Sequence, residues 1–187
     1  MQQRWGWQCS RRELLAGSVM AGLALGVPGL RAGYGETVDP APLGVLTRFL
    51  GAWHTQTRIR HEDPPQRESQ TVGQAECRTT LEGRYAEFRT WSIPPGEVDL
   101  QIMTYDVKAG LYRQWVFDAD GYRHGAAGRW DPITSTLRWE GQVESASFVI
   151  DDRWVSADRL EWTLRRTGAN GRQLQTINGL LERCKEQ

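Results

Sequence analysis

After residue 50 the chain consists mainly of short runs in which apolar or small side chains alternate with polar ones. Alternation with a period of two is typical of a β-strand that buries one face. In the run at residues 53–60, one face holds Trp53, Thr55, Thr57 and Ile59. In the run at residues 159–167, one face holds Leu160, Trp162 and Leu164. These runs indicate strands whose apolar faces turn toward a common core.

Turn-forming residues divide the chain into about ten such runs. Asp118–Gly121 (DADG) is a hairpin signal because Asp and Gly tolerate positive φ. The predicted strands lie at residues 53–60, 71–80, 84–93, 99–107, 111–118, 122–130, 134–140, 145–152, 159–167 and 172–183. The turn between the seventh and eighth is predicted at Glu140 and Gly141.

Short connections between successive strands predict antiparallel pairing. A sheet of this size avoids exposed edges by closing on itself. The predicted fold class is therefore all-β, an about ten-stranded antiparallel up-and-down barrel with room for a small ligand. A short helical turn within residues 44–50 is expected before the first strand.

The first 32 residues follow a different pattern. Ser-Arg-Arg-Glu-Leu-Leu, with Arg11 and Arg12, resembles the twin-arginine export motif, and the apolar, uncharged residues 14–30 follow it. This Gly-containing stretch is weaker than the ~20 strongly apolar residues of a membrane span. We expect a signal peptide at 1–32, a linker at 33–43 and the barrel at 44–187. The expected location is periplasmic or extracellular, without a stable span in the mature chain; an uncleaved N-terminal anchor is the alternative.

Charge and motif content exclude several kinds of partner. The 23 basic and 23 acidic residues leave none of the basic excess that is typical of nucleic-acid binding. The acidic pairs Glu62-Asp63 and Asp151-Asp152 lack the spacing of a calcium loop, and no cysteine has metal-ligand spacing. We therefore expect no nucleic acid and no metal.

Two cysteines, Cys77 and Cys184, follow the expected signal peptide. In an oxidising compartment they are a candidate disulfide. The bridge would close a loop of about 108 residues and stabilise the fold by roughly 4–5 kcal/mol in the loop-entropy model. The alternative is two unpaired, buried thiols.

The stretch FLGAWHT at residues 49–55 resembles the opening of calycin-type barrels, the lipocalin and fatty-acid-binding group. Gly51 and Trp53 match the Gly-x-Trp of that group. The resemblance implies that Trp53 plugs one end of the barrel, and a late arginine such as Arg183 would be its cation–π partner. A ligand-stacking floor is the alternative role for Trp53.

A second stretch, TYDVKAGLYRQWVFDADG at residues 104–121, resembles an uncharacterised, often exported bacterial domain family. The matching residues are Tyr105, Asp106, Gly110, Tyr112, Trp115 and Gly121. This resemblance covers residues 44–183 and implies the barrel fold without an assigned function. A haem-binding branch of ten-strand barrels ligates iron through a late histidine, whereas the last histidine here is His124. We therefore expect no haem and no other cofactor.

Two Arg-x-Trp pairs, Arg89 with Trp91 and Arg113 with Trp115, repeat at strand period, so each pair shares one face. If that face points inward, cationic groups beside aromatic walls suit an amphipathic anion such as a fatty-acid carboxylate. If it points outward, the arginines stack on the tryptophans at the surface. The predicted ligand-lining residues are Trp91, Tyr105, Arg113, Trp115 and Trp162.

These patterns favour an exported, non-enzymatic barrel that binds a small lipophilic or amphipathic molecule in its interior. One alternative is a barrel-type enzyme, an isomerase or hydrolase, that uses His124 on a strand of small residues. The other is a structural or interaction module whose Trp and Arg side chains face outward.

Overall fold

A computed structural model of the protein describes residues 40–62, 66–93 and 96–185. The predicted signal peptide and residues 33–39 of the predicted linker lie outside these ranges. A short helix, α1 (Pro40–Leu46), continues as a 3-10 turn (Thr47–Phe49) and leads into the first strand. The helix begins earlier than residue 44, so the end of the predicted linker is helical. Among the described residues, no helix has the length and apolar character needed to cross a membrane.

Ten strands follow the helix. They are β1 (Gly51–His61), β2 (Arg67–Thr80), β3 (Tyr85–Ser92), β4 (Gly96–Asp106), β5 (Leu111–Asp118), β6 (Arg123–Asp131), β7 (Thr136–Val143), β8 (Ala146–Ser156), β9 (Arg159–Thr167) and β10 (Gln173–Arg183). Each pairs antiparallel with its neighbour in the chain, and β10 pairs with β1, which closes the barrel. The predicted all-β, ten-stranded antiparallel up-and-down barrel is confirmed, and β5 and β9 have the predicted bounds.

The predicted turn at Glu140 and Gly141 is wrong. Gly141 lies inside β7, opposite Phe148 of β8, and the turn follows Val143. Glu144 supplies the positive φ there, at 54°. A Cβ on Gly141 would lie 2.4 Å from the Phe148 ring, so this glycine makes room for an aromatic side chain.

The same arrangement occurs at two other inward-facing glycines. Trp139 lies over Gly128, and Trp162 lies over Gly179, each ring facing the glycine opposite it on the neighbouring strand. A Cβ would approach these rings to 2.5 Å and 2.0 Å. Large rings therefore occupy the interior space that these three glycines leave free.

The end of the barrel next to α1 is packed, and we call it the closed end. Trp53 and Trp139 have no exposed surface, and Met103, Leu137 and Leu160 are also completely or almost completely buried. Phe49 of the 3-10 turn packs edge-on against Trp154, with ring centroids 4.7 Å apart. The Tyr112 hydroxyl donates to the Pro42 carbonyl at 2.9 Å, which attaches α1 to the barrel.

Trp53 occupies the position that the resemblance implies. Its indole Nε1 donates to the Phe49 carbonyl at 2.7 Å. The Arg183 guanidinium lies 4.1 Å above the ring centroid, which is the predicted cation–π contact. Gly51 has a φ of 109°, and a Cβ there would lie 2.8 Å from an Arg183 nitrogen. The Gly-x-Trp pair and Arg183 therefore form one packing unit at the closed end.

The predicted disulfide between Cys77 and Cys184 is wrong, because Cys77 is a free, buried thiol. Cys77 lies opposite Gly51 on β2 and points inward. Cys184 follows the inward-facing Arg183 and donates its backbone N–H to the Ala52 carbonyl, so its side chain points outward. The two residues flank β1 from opposite sides, about 10 Å apart at the usual strand spacing, which is too far for a bridge. Burial raises the pKa of the Cys77 thiol to about 12.

Candidate functional site

The barrel interior away from α1 is accessible to solvent. Inward-facing Ile59, Ile150, Leu164 and Ile177 all remain partly exposed there. Because the sheet is closed, inward-facing side chains meet solvent through the mouth of the barrel. We call this open half of the interior the cup.

One side of the cup is apolar. Ile59, Ile177, Leu164 and Ile150 lie opposite one another in a single row across β1, β10, β9 and β8. The row ends at the Trp139 ring, and the Trp162 and Phe148 rings lie on either side of it. We call this surface the apolar wall.

The opposite side of the cup is polar and includes four hydrogen-bonded side chains on β3, β4 and β5. Thr90 Oγ1 donates to Asp99 Oδ1 at 3.2 Å, and Gln101 Nε2 donates to the same oxygen at 3.0 Å. Gln114 Nε2 then donates to Gln101 Oε1 at 2.7 Å. These four residues are the polar chain, and they place amide and carboxylate groups across from the apolar wall.

The polar chain ends at an unsatisfied acceptor. Gln114 is only 4% exposed, and its Oε1 is buried without a hydrogen-bond partner among the described residues. Its neighbours on the same inward face are Met103 and Ala126. A buried acceptor without a partner costs about 1–3 kcal/mol, so this oxygen is a position where a ligand donor would be stabilising.

His124 and Asp118 lie near the mouth, next to the polar chain. Asp118 is opposite Asp99, and His124 is opposite Val116, so all three titratable groups point inward from neighbouring strands. Burial lowers the pKa of His124, and the Asp118 charge opposes this change. Burial raises the pKa of Asp118, and the His124 charge opposes that change. The His124 ring packs edge-on against Phe148 at 5.0 Å, which connects this cluster to the apolar wall.

Arg166 of β9 is an inward-facing cation at the mouth, where it lies opposite Phe148 and Gln175. Its guanidinium lies 3.7 Å from the Glu144 carboxylate. Its Nε is buried and has no hydrogen-bond partner in the described part of the chain. Arg166 was not predicted from the sequence. Arg165 and Arg166 are adjacent, and the sequence does not show which of the two side chains faces inward.

The floor of the cup contains a buried carboxyl group. Asp152 of β8 accepts a hydrogen bond from Trp139 Nε1 at 2.8 Å and lies opposite Trp162. Desolvation raises the pKa of Asp152 to about 7. No group of three or more His, Cys, Asp and Glu side chains in the described ranges is arranged to hold a metal ion.

Comparison with known proteins supports the fold and leaves the function open. No family model and no curated protein matches the chain. The crystal structure of Rv2717c from M. tuberculosis is similar with a TM-score of 0.58 and 12% identity, covering 79% of this chain and 99% of that one. The fold is a calycin-like β-barrel. The predicted membership of an uncharacterised bacterial family stays a prediction.

Two more distant structures were also found. The S-type phycobiliprotein lyase CPES from Guillardia theta has 9% identity and a TM-score of 0.49, covering 77% of this chain and 93% of that one. A DUF3598 protein of unknown function from Nostoc punctiforme has 7% identity and a TM-score of 0.26, covering 76% and 98%. At these scores neither structure bears on the function of this chain.

Three of the five predicted lining residues point away from the cup. Phe88 and Thr90 face inward, so Arg89 and Trp91 face outward. On β5, Tyr112, Gln114 and Val116 face inward, so Arg113 and Trp115 face outward. The prediction that Trp91, Arg113 and Trp115 line the interior is therefore wrong, and so is the cationic inner wall that it implied.

The other two predicted lining residues face inward at different depths. Trp162 borders the apolar wall of the cup. Tyr105 lies at the closed end, where its ring meets Tyr112 at 5.0 Å. Trp162 therefore belongs to the cup, and Tyr105 belongs to the packed core.

The outer face of the barrel has two further features. Trp91, Leu100, Ile102, Trp115 and Phe117 form an apolar patch across β3, β4 and β5, in which Trp115 and Phe117 are 41% and 45% exposed. An open groove of about 310 Å³ crosses β9, β10 and β1. Its outward-facing lining includes Arg58, Arg159, Glu161, Asn178 and Gln56. This groove lies on the outside of the barrel, and its lining is mainly polar and charged.

Proposed function

We propose that the protein binds a small amphipathic molecule in the cup. The observation that carries this proposal is the inward row Ile59–Ile177–Leu164–Ile150, which is apolar yet partly exposed to solvent. Covering apolar surface is favourable by about 25 cal/mol per Å², so a ligand that covers this row is stabilised there. Ligand pockets commonly combine such walls with a few placed polar groups.

The polar chain accounts for the amphipathic character of the expected ligand. A purely apolar molecule would leave Gln114 Oε1 without a partner, and it would displace water from Asp99 and Gln101. A molecule with an apolar body and one polar group satisfies both sides of the cup.

Native mass spectrometry of the full chain, purified from its own host, tests the proposal. We expect the mass of a small molecule to accompany the protein. After removal of that molecule, calorimetric titration with ten-carbon probes should restore binding. Protein without a bound mass that also binds none of the probes would contradict the proposal.

We also propose that the protein acts outside the cytoplasm, because Arg11 and Arg12 precede an apolar segment. Cell fractionation of the native chain and of an Arg11→Lys/Arg12→Lys variant tests this. The variant should accumulate in the cytoplasm. Equal distribution of both chains would contradict twin-arginine export.

A further inference from the structure

The direction of the polar chain is set by Asp99. Thr90 Oγ1 and Gln101 Nε2 both donate to the same Asp99 oxygen, so Gln101 turns its Nε2 toward Asp99. The Gln101 Oε1 is then the atom that faces Gln114, and Gln114 must donate its Nε2. The last atom of the polar chain is therefore an acceptor, Gln114 Oε1. The hydrogen-bond network determines which way the Gln114 amide is turned.

We propose that the polar group of the ligand is a hydrogen-bond donor, a hydroxyl or a protonated amine on an apolar body, that binds Gln114 Oε1. This inference rests on the proposed function of the cup. It makes Gln114 the residue that determines head-group specificity, and it makes Asp99 a positioning residue that acts through Gln101. Both roles follow from the direction of the hydrogen bonds along the polar chain.

The charges around the polar chain favour a donor over a carboxylate. Asp99 and Asp118 point inward from neighbouring strands, opposite each other, so this side of the cup is acidic. An anionic head group next to them would be repelled, whereas a hydroxyl or an ammonium group would not. Arg166, an inward-facing arginine at the mouth, lies on the opposite side of the cup and faces Glu144 at 3.7 Å, and Arg67 faces inward opposite His61 at the end of β2.

One aromatic ring separates Gln114 from the apolar wall. On its inward face Gln114 is followed across the sheet by Ala126, Gly141 and then Phe148. The Ala126 side chain is small, and the Phe148 ring covers Gly141. A ligand that donates to the buried Gln114 Oε1 and covers the isoleucines therefore packs against the Phe148 ring.

Four probes of equal chain length test the inference on the full chain. They are decan-1-ol, decylamine, decyl methyl ether and decanoate, titrated at pH 8 so that decanoate is ionised. The alcohol, the amine or both should bind about tenfold more tightly than the ether, because the ether cannot donate a hydrogen bond. Decanoate should bind no more tightly than the ether. An alcohol-only or amine-only preference identifies which of the two donors the cup accepts, and either result supports the proposal.

A double variant, Gln101→Met/Gln114→Met, tests whether the polar chain causes this preference. Both glutamines are replaced because removal of Gln114 alone would leave Gln101 Oε1 as the terminal acceptor. The alcohol-to-ether preference should fall to about twofold or less. Ile177→Ala on the apolar wall is the matched control, since it should weaken all probes while leaving the preference unchanged.

The outcomes separate this inference from the proposed function. If no probe binds, the cup is not a ligand site and both fail. If the probes bind with equal affinity and Ile177→Ala weakens them all, the cup is a ligand site and the inference about Gln114 fails. If decanoate binds most tightly and Arg166→Met removes that preference, the head-group site is at Arg166, which overturns the inference. Because the preference is measured first in the native protein, a misfolded variant does not remove the test.

Discussion

The Trp162 indole lies flat over Gly179, its opposite neighbour on β10, so closely that a Cβ on Gly179 would lie 2.0 Å from the ring. This pair fixes the border between the packed closed end and the cup. With any side chain at residue 179, the ring would move into the space above the apolar wall.

Gly179→Ala should therefore destabilise the protein by about 1–3 kcal/mol, the usual cost of overpacking a well-filled interior. Urea unfolding measures this change. Gly44→Ala is the matched control, because Gly44 lies in α1 with no atom within 4 Å of the Cβ that alanine adds. The control should stabilise the protein by roughly 0.5–1 kcal/mol. An equal response at the two positions would contradict the packing account.

Arg183→Lys should destabilise the protein by about 2–4 kcal/mol, although it conserves the charge. The guanidinium covers Trp53 and donates to the carbonyls of Leu50, Arg48 and Ala157, and a single ammonium group cannot make this set of contacts.

The same substitution at Arg58 provides the control for Arg183. Arg58 pairs with Glu68 at the surface, where the two side chains are 62% and 48% exposed. Arg58→Lys should change the free energy of unfolding by less than about 0.5 kcal/mol. Similar losses for the two variants in thermal or urea unfolding would show that Arg183 is not the central contact of the closed end.

Asp152→Asn should change the pH dependence of stability. Burial raises the pKa of Asp152 from 3.8 to about 7, so between these values the folded state keeps a proton that the unfolded state has lost. The free energy of unfolding therefore falls as pH rises through this window. Asparagine is neutral throughout and can still accept from Trp139 Nε1.

The variant should be more stable than the native protein between pH 4 and pH 8. The gain should reach about 4 kcal/mol when folding imposes the full change in the pKa of Asp152. Urea unfolding of both proteins at four or five pH values measures the difference. Parallel stability curves would show that the Asp152 carboxyl is not buried as the structure places it.

Residues on the inner and outer faces should affect ligand binding differently. Leu164→Ala removes apolar surface from the cup and should weaken decan-1-ol binding about fivefold to thirtyfold. Trp115→Ala removes a larger side chain from the outer face and should leave the affinity unchanged. Calorimetric titration of both variants measures this contrast. Stronger loss in Trp115→Ala would place the ligand on the outer patch.

Much of the fold could be predicted from alternation and turns, because both are local. The bounds of β5 and β9 and the inward face of β1 follow from side-chain pattern alone. Gly141 was misjudged because glycine also serves as a partner for an aromatic ring, and the sequence does not show which ring lies opposite.

The candidate site was harder to predict, because an alternating strand does not indicate which face is inside. Arg113 and Trp115 alternate with Tyr112 and Gln114, and both faces of β5 carry large side chains. The inward position of His124 near Asp118 was available from the hairpin that joins their strands. In contrast, the burial of Asp152 depends on its register with Trp139, which no local signal gives.

The six isoleucines provide the most direct test of the cup as the ligand site. Ile59, Ile150 and Ile177 belong to the apolar wall, whereas Ile102 faces outward and Ile93 and Ile133 lie in exposed turns. Methyl NMR of isoleucine-labelled full chain, titrated with decan-1-ol, reports on all six. The account predicts shifts for residues 59, 150 and 177 and none for residues 93, 102 and 133. Shifts confined to the second group, or none at saturating probe, would contradict it.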